Sequence, residues 1–178
     1  MATDLFQGHD YYNIDDLLTE EHKLVRESAR QWVKKEVSPI IEEYAQKAEF
    51  PRQLIKGLAE IGAFGPNLPE KYGCGGLDEI SYGLIMQELE RGDSGLRSTA
   101  SVQSSLVMFP IYSYGSEEQK ARFLRPLASG QALGAFALTE PHVGSDASAI
   151  TTRAERQGSH YVLNGVKQFI TSGKNADL

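Results

Sequence analysis

The sequence predicts an α+β fold, with an N-terminal all-α helical domain over residues 1–130 and the start of an antiparallel β-domain over residues 131–178. Up to Gly130, apolar residues recur at helical spacing, and capping residues separate one helical segment from the next. After Gly134 this period gives way to short apolar and alternating runs, with an Asn-Gly pair that is typical of a β-hairpin.

The composition is that of a globular protein, with 178 residues, 40% of them hydrophobic and 24% charged. A net charge of -6 provides no basic field for a phosphate backbone, so we expect no nucleic-acid partner. No window approaches about 18 consecutive apolar residues, and residues 1–10 lack the basic start and apolar run of a signal peptide. We therefore expect no membrane insertion and a cytoplasmic protein, although a processed organellar protein would share these features.

Cysteine and histidine usage gives no sign of a metal site. The single cysteine, Cys74, excludes an internal disulfide and a cysteine-rich cluster. The four histidines lie far apart, without H-x3-H or HExxH spacing. We expect Cys74 to be a free structural thiol and the protein to bind no metal.

The first helical element carries a continuous small-or-apolar stripe from Leu24 to Ala48. Thr19 is its expected N-cap, followed by two glutamates that suit the positive end of the helix dipole. Pro39 lies inside the stripe and has no N–H to donate, so we expect a kink or local break near Val37.

Four more helical segments are expected before residue 130, each with its own start or stop signal. They are Pro51–Ile61, stopped by Gly62; Ile80–Arg91, with Gly92 at the C′ position; a helix capped by Asp93 or Ser94 and broken at Pro110; and a helix opened by the capping box Ser116–Gln119 and ending at Gly130.

The last 45 residues predict strands. We expect a strand at 134–138, an alternating strand within 150–156, and a hairpin in which Asn164-Gly165 joins 161–163 to 166–170. The sequence stops soon after this hairpin, with no closing partner for the sheet edge. We therefore expect either the front part of a longer protein or a sheet that another chain completes.

One segment combines a strand with a Pro/Gly turn, the run from Phe136 to Asp146. Such a turn exposes backbone donors and hydroxyls, which suit a phosphate or the polar edge of an isoalloxazine ring. The residues alone favour a merely capped turn over a ligand site. The other glycine-rich stretch, residues 73–76, lacks the G-x-G-x-x-G spacing of a dinucleotide fingerprint and is expected to be a loop.

The run Leu138–Asp146, together with Phe169-Ile-Thr-Ser172, resembles the flavin-binding signature of the acyl-CoA dehydrogenase family. The resemblance spans nearly the whole chain, and it implies a truncated acyl-CoA dehydrogenase fold with FAD as cofactor. It places Phe136, Leu138, Thr139, Gly144, Ser145, Phe169, Ile170 and Thr171 at the cofactor, with Ser145 also where the CoA portion of the substrate meets FAD. Phe169 stands where many relatives carry Trp, and Thr171 would donate toward the ring nitrogen that receives the hydride.

The run Glu88–Met108 resembles the glutaryl-CoA dehydrogenase branch. The resemblance implies that Arg97 and Ser98 hold the distal carboxylate of the substrate, with Glu90 close by; a guanidinium fork and a hydroxyl suit a buried carboxylate. Two other interpretations remain open from the residues: Arg97 as an exposed or helix-capping arginine, and Glu90 as a solvated helix glutamate.

By the same resemblance, the reaction is oxidative decarboxylation of glutaryl-CoA to crotonyl-CoA in lysine and tryptophan degradation. Electrons would pass to an electron-transfer flavoprotein, and the complete protein would be a homo-oligomer, usually a tetramer. The catalytic base is expected in a C-terminal domain outside this sequence, so Glu140 receives no catalytic role and the isolated fragment is expected to be inactive. The alternatives are a dehydrogenase of short or branched monocarboxylic acyl-CoA and a non-catalytic module with this fold.

Overall fold

The computed structural model describes residues 10–178 and confirms the α+β fold class. Residues 1–9 lie outside the described residues; they include His9 and most of the N-terminal segment 1–10, which lacks the features of a signal peptide. No helix within 10–178 is long and apolar enough to cross a membrane. The helices are α1 Glu20–Trp32, α2 Ile41–Lys47, α3 Leu54–Glu60, α4 Glu79–Gly92, α5 Ser94–Ser101, α6 Phe109–Tyr114 and α7 Glu117–Ala128; the strands are β1 Arg153–Gln157 and β2 His160–Asn164.

The first helix begins and breaks where the sequence predicts. Thr19 caps α1, because its hydroxyl accepts the His22 N–H at 3.2 Å while the His22 ring accepts the Thr19 N–H at 3.3 Å. The helix then widens into a π-helical segment, Val33–Val37, and α2 starts only at Ile41, after Pro39. The expected break is therefore real, and a π segment lies on its N-terminal side.

The α1–α4 interface corrects the role expected for Gly92. This residue ends α4 inside the helix, and Asp93 is the cap, so Gly92 does not occupy the C′ position. A Cβ at Gly92 would lie 2.6 Å from Cγ1 of Val33, which is fully buried. Glycine is required here because the two helices approach closely.

The same interface contains a buried ion pair. The carboxylate of Glu88, with 0% of its side chain exposed, accepts two hydrogen bonds from the Arg30 guanidinium, at 3.0 Å from Nε and 2.8 Å from Nη2. Arg91 Nε lies 3.7 Å from the same carboxylate. The bidentate geometry satisfies a charge that would be costly to bury alone, and it fixes the rotation of α1 against α4.

The helix after Asp93 is longer than predicted. Asp93 caps α5 by accepting the Leu96 N–H, as expected, but Pro110 does not break the helix. A π-helical segment, Val102–Met108, follows α5, and Pro110 lies in the first turn of α6, where a missing N–H is tolerated. Residues 94–114 therefore form one continuous rod, which we call the central helix.

A hairpin forms, but it pairs other segments than those predicted. Strands β1 and β2 pair antiparallel through a two-residue turn at Gly158-Ser159, with Gly158 at φ +63°. The prediction that Asn164-Gly165 is the turn was wrong, because Asn164 is the last residue of β2 and pairs with Arg153. A Cβ at Gly165 would lie 2.8 Å from Cα of Thr152, so this glycine permits a close chain crossing.

Neither of the strands expected at 134–138 and 166–170 forms. The first runs extended, with Ala135 N–H donating to the Leu178 carbonyl at 2.8 Å. The second folds back on the first, because Gln168 N–H donates to the Thr139 carbonyl at 2.9 Å. Single hydrogen bonds, rather than a sheet ladder, hold each of these segments in place.

The N-termini of α1 and α4 are joined through one histidine. The buried His22 ring accepts the Thr19 N–H at Nδ1, so in the neutral ring Nε2 carries the proton and donates to Asp78 at 2.8 Å. Asp78 also caps α4 by accepting the Ser81 N–H at 2.8 Å. The Ser81 N–H, followed by His22 and the Ser81 hydroxyl, lowers the pKa of Asp78 to about 2.

Arg30→Met should destabilise the protein by about 3–5 kcal/mol, because it leaves the buried Glu88 carboxylate without its main partner. The double variant Arg30→Met/Glu88→Met should recover most of this loss, and Lys23→Met, which removes an exposed ion pair with Glu20, should cost less than about 1 kcal/mol. Denaturant unfolding measures all three. A double variant as unstable as the single one would show that the cost lies in packing rather than in the unpaired charge.

Asp78→Asn should lower stability at neutral pH, and its effect should shrink in acid. The pKa of Asp78 is depressed in the folded state, so its contribution is present above its ordinary value of 3.8 and is lost as pH falls toward about 2. The measurement is the difference in unfolding free energy between wild type and Asp78→Asn across that range, with the exposed Asp16→Asn as control. A difference that does not change with pH would contradict the assignment.

Candidate functional site

The first cluster of predicted site residues lies where α4 ends and the central helix begins. The Arg97 guanidinium donates from Nε to Glu90 Oε2 at 2.5 Å and from Nη1 to the Ser101 hydroxyl at 3.4 Å. The Ser94 hydroxyl donates to the other Glu90 oxygen at 2.6 Å. This Ser94 bond, followed by the Arg97 guanidinium, lowers the pKa of Glu90, so its carboxylate stays charged.

This cluster is accessible. The side chains of Arg97 and Glu90 are 35% and 47% exposed, and Ser98, which follows Arg97 in the chain, is half-buried. A guanidinium has five N–H donors, so its contacts with Glu90 and Ser101 do not saturate it. A second carboxylate could therefore be accepted at Arg97, beside or in place of Glu90.

The polar surface continues along the central helix as a stripe that we define by Arg97, Ser101 and Ser105. The Tyr82 hydroxyl of α4 lies 2.8 Å from Ser105 Oγ, which holds the far end of this stripe against α4. Sequence reasoning did not single out Ser101, Ser105 or Tyr82. The spacing of the stripe, i, i+4 and i+8, was the available signal, because it places all three side chains on one helix face.

The second cluster contains the run 136–146, which we call the flavin-like motif, and the segment 169–172. Phe136 is exposed, whereas Leu138 and Thr139 are half-buried. The hydrogen bond from Gln168 N–H to the Thr139 carbonyl brings the 167–171 segment beside Thr139. Ile170 and Thr171 are half-buried, and Phe169 is 84% exposed with φ +57°. An exposed aromatic residue in the left-handed region is unfavourable by itself, and such strain concentrates at ligand sites.

The turn after Thr139 is closed around Glu140. Glu140 and Val143 exchange backbone hydrogen bonds of 3.0 and 3.1 Å, which leaves Gly144 and Ser145 exposed beyond the turn. The Glu140 side chain is buried and accepts the N–H groups of Thr151 at 2.8 Å and Thr152 at 3.0 Å. Thr152, the Thr151 N–H and the Lys167 ammonium hold the pKa of Glu140 well below its usual range.

The structure thus assembles the predicted residues into two groups rather than one. Glu90, Arg97 and Ser98 lie together at the N-terminal end of the central helix, whereas Thr139 and residues 169–171 lie together after α7. Within residues 10–178, no hydrogen bond or ion pair joins the first group to the second.

The residues of the second cluster suit a planar heteroaromatic cofactor. Exposed aromatic side chains at Phe136 and Phe169 offer stacking surfaces, and the half-buried hydroxyls of Thr139 and Thr171 are donors for a polar ring edge. A Cβ at Gly144 would have no heavy atom within 4 Å, so the turn is open to a ligand. Among the described residues, no group of three or more His, Cys, Asp or Glu side chains could hold a metal ion.

Comparison with known proteins gives consistent matches. The family model for the acyl-CoA dehydrogenase N-terminal domain matches residues 19–131, and that for the middle domain matches residues 135–178. A probable acyl-CoA dehydrogenase of Bacillus subtilis, YngJ, is 46% identical over 161 residues, which are 89% of this chain and 42% of the relative. The short-chain specific mitochondrial acyl-CoA dehydrogenase of Bos taurus is 37% identical over 89% of this chain and 39% of its own length.

Among solved structures, a glutaryl-CoA dehydrogenase from Mycobacterium smegmatis, in complex with FADH2, has a TM-score of 0.90 and 46% identity. The match covers 93% of this chain and 43% of that one, so the sequence spans about two fifths of the length of its relatives. The fold, the order of its elements and the matched residues agree: the chain belongs to the acyl-CoA dehydrogenase family.

Proposed function

We propose that the protein carrying this sequence is an FAD-dependent acyl-CoA dehydrogenase whose substrate is glutaryl-CoA. The observation that supports this substrate is the accessible cluster of Arg97, Ser98 and Ser101 at the start of the polar stripe. A purely hydrocarbon acyl tail would be met by apolar side chains, whereas a guanidinium beside hydroxyls suits a second carboxylate. The similarity to a glutaryl-CoA dehydrogenase supports the same substrate.

In the proposed reaction a base takes an α proton from the substrate while a hydride leaves the β carbon; the bound intermediate then loses carbon dioxide, and a proton returned to the γ carbon gives crotonyl-CoA. FAD, when bound, supplies the hydride acceptor, and its electrons would pass to an electron-transfer flavoprotein. The residues of this chain would bind and orient the flavin and the substrate. Thr139 and Thr171 would donate hydrogen bonds to the flavin, Phe136 and Phe169 would pack against it, and Arg97 would hold the distal carboxylate of the substrate.

Glu140 is a poor candidate for the base. Its carboxylate accepts hydrogen bonds from Thr151, Thr152 and Lys167, and its pKa is held low, so it has little tendency to take a proton. Glu90 is likewise engaged by Arg97 and Ser94. We therefore place the base in the part of the protein outside this sequence, and we expect the complete protein to self-associate.

A second candidate substrate class is short or branched monocarboxylic acyl-CoA. The observation that favours it is the Glu90–Arg97 ion pair, which already balances the guanidinium charge without a substrate carboxylate. In that case Arg97 would keep a structural contact with Glu90, and the polar stripe would border the pocket without reading the substrate.

The complete protein, incubated with glutaryl-CoA and an artificial electron acceptor, should bleach its flavin absorbance and form crotonyl-CoA and carbon dioxide, as measured by mass analysis of the thioester. Glutaconyl-CoA as the product would retain the pocket assignment and remove decarboxylation. Bleaching with butyryl-CoA but not with glutaryl-CoA would establish the second candidate.

Arg97→Ala should lower kcat/KM for glutaryl-CoA by roughly a hundredfold or more while leaving butyryl-CoA oxidation near wild type, because only the dicarboxylate uses the guanidinium. Arg97→Lys should fall in between, since the charge stays and the fork is lost. Arg122→Ala, which removes an exposed arginine on α7, is the control. Equal losses for both substrates would contradict the assigned role.

A further inference from the structure

Lys167 contacts the flavin-like motif through two hydrogen bonds. Its ammonium donates to the Leu138 carbonyl at 2.8 Å and to Glu140 Oε1 at 2.9 Å. The lysine side chain is mostly buried, and the Glu140 carboxylate is almost completely so. The Lys167 ammonium therefore neutralises the buried Glu140 carboxylate and also fixes the backbone carbonyl of Leu138, two residues before Glu140.

These contacts determine which way the motif backbone faces. The carbonyl and N–H of a trans peptide point in opposite directions, and the described residues contain no cis peptide bond. With the Leu138 carbonyl turned toward Lys167, the N–H of Thr139 is directed to the opposite side. The Thr139 carbonyl is bound to Gln168 N–H, so both peptide groups that flank Thr139 are fixed.

Glu140 extends this control to the other end of the turn. Its carboxylate accepts the Thr151 hydroxyl at 2.8 Å as well as the backbone N–H groups of Thr151 and Thr152. The loop from Pro141 to Ile150, which carries Gly144 and Ser145, is therefore tied at both of its ends to one buried side chain. Four donors on one carboxylate leave it little freedom to rearrange.

We propose that Glu140 and Lys167 form a buried clamp of positioning residues, which touch neither flavin nor substrate but hold the Thr139 donors and the Ser145 turn in their binding geometry. This inference rests on the proposed function, because it needs the flavin to bind at Thr139. It assigns to Glu140 a role in preorganisation in place of the proton transfer that its position beside the motif could suggest.

The test uses the complete protein freed of flavin and titrated with FAD. Lys167→Met should weaken FAD binding by roughly tenfold or more, since it removes the cation paired with the buried Glu140 carboxylate and the side-chain donor to the Leu138 carbonyl. Lys167→Arg should recover part of the affinity, and Glu140→Gln should resemble Lys167→Met. Lys174→Met, which removes an exposed lysine from the same segment, should bind FAD as the wild type does.

A second readout separates positioning from mere support of the fold. At saturating FAD, Lys167→Met and Glu140→Gln should show altered visible absorbance and circular dichroism of the bound flavin, because its hydrogen-bond partners have moved. Because the two residues act as a unit, the double variant should lose little more affinity than either single one. Saturated variants with the wild-type flavin spectrum, even if less stable to heat, would overturn the proposal.

The outcome for the wild type keeps the two proposals apart. Failure of the wild-type protein to bind FAD would overturn the proposed function itself. Tight FAD binding by the wild type, Lys167→Met and Lys167→Arg alike would overturn only the clamp. If Lys167→Met does not fold, the comparison of Lys167→Arg with Lys174→Met carries the test.

Discussion

The buried amide of Gln103 is the contact on which the arrangement of the candidate site depends. Its NH2 group donates to the carbonyls of Leu127 and Ala132 at 3.0 and 2.9 Å, and its oxygen accepts the Gly134 N–H at 2.8 Å. Both amide donors and the acceptor are used, which a buried amide requires. These three hydrogen bonds therefore fix the path of the chain from the end of α7 to Gly134, two residues before Phe136. Gly134 allows this, because any side chain there would collide with Val107.

The π-helical segment explains how one helix serves both groups of site residues. Within it, Gln103 and Ser104 face the interior, where the Ser104 hydroxyl accepts the Gly65 N–H at 2.9 Å and donates to the Ala63 carbonyl at 3.1 Å. The same rod carries the polar stripe that begins at Arg97. A π segment changes the angular position of later residues relative to a regular helix, and such segments are frequent at functional sites. The hydrogen bonds of Gln103 and Ser104 thus fix the rotation of the rod that carries the stripe.

What the sequence predicted well was local, and what it missed was long-range. Thr19, Asp93 and Ser116 cap helices because the cap bond spans only three residues. Gly92, Pro110 and Asn164-Gly165 were misinterpreted because a close helix approach, a π segment and a chain crossing are tertiary features. The contacts of Gln103 and Glu140 join residues 11 to 31 positions apart, and no spacing rule indicates them. The assignment of the site residues depended on resemblance to a family, and the structure adds the residues that hold the candidate site in place.

Two glutamates on α4 show how burial decides what a charge can do. Glu88 and Glu90 are two positions apart, so they point to different sides of the helix. Glu88 is enclosed against Arg30, and its partner cannot be exchanged without leaving a buried charge. Glu90 faces solvent and holds Arg97 in a pair that water competes for, so the guanidinium can turn to another carboxylate at small cost. Under the proposed function, an arginine that binds a substrate carboxylate needs such a replaceable partner: Glu90 would orient the guanidinium before the substrate arrives and would release it afterwards. The same helix thereby uses one carboxylate to fix the fold and another to keep a binding group ready.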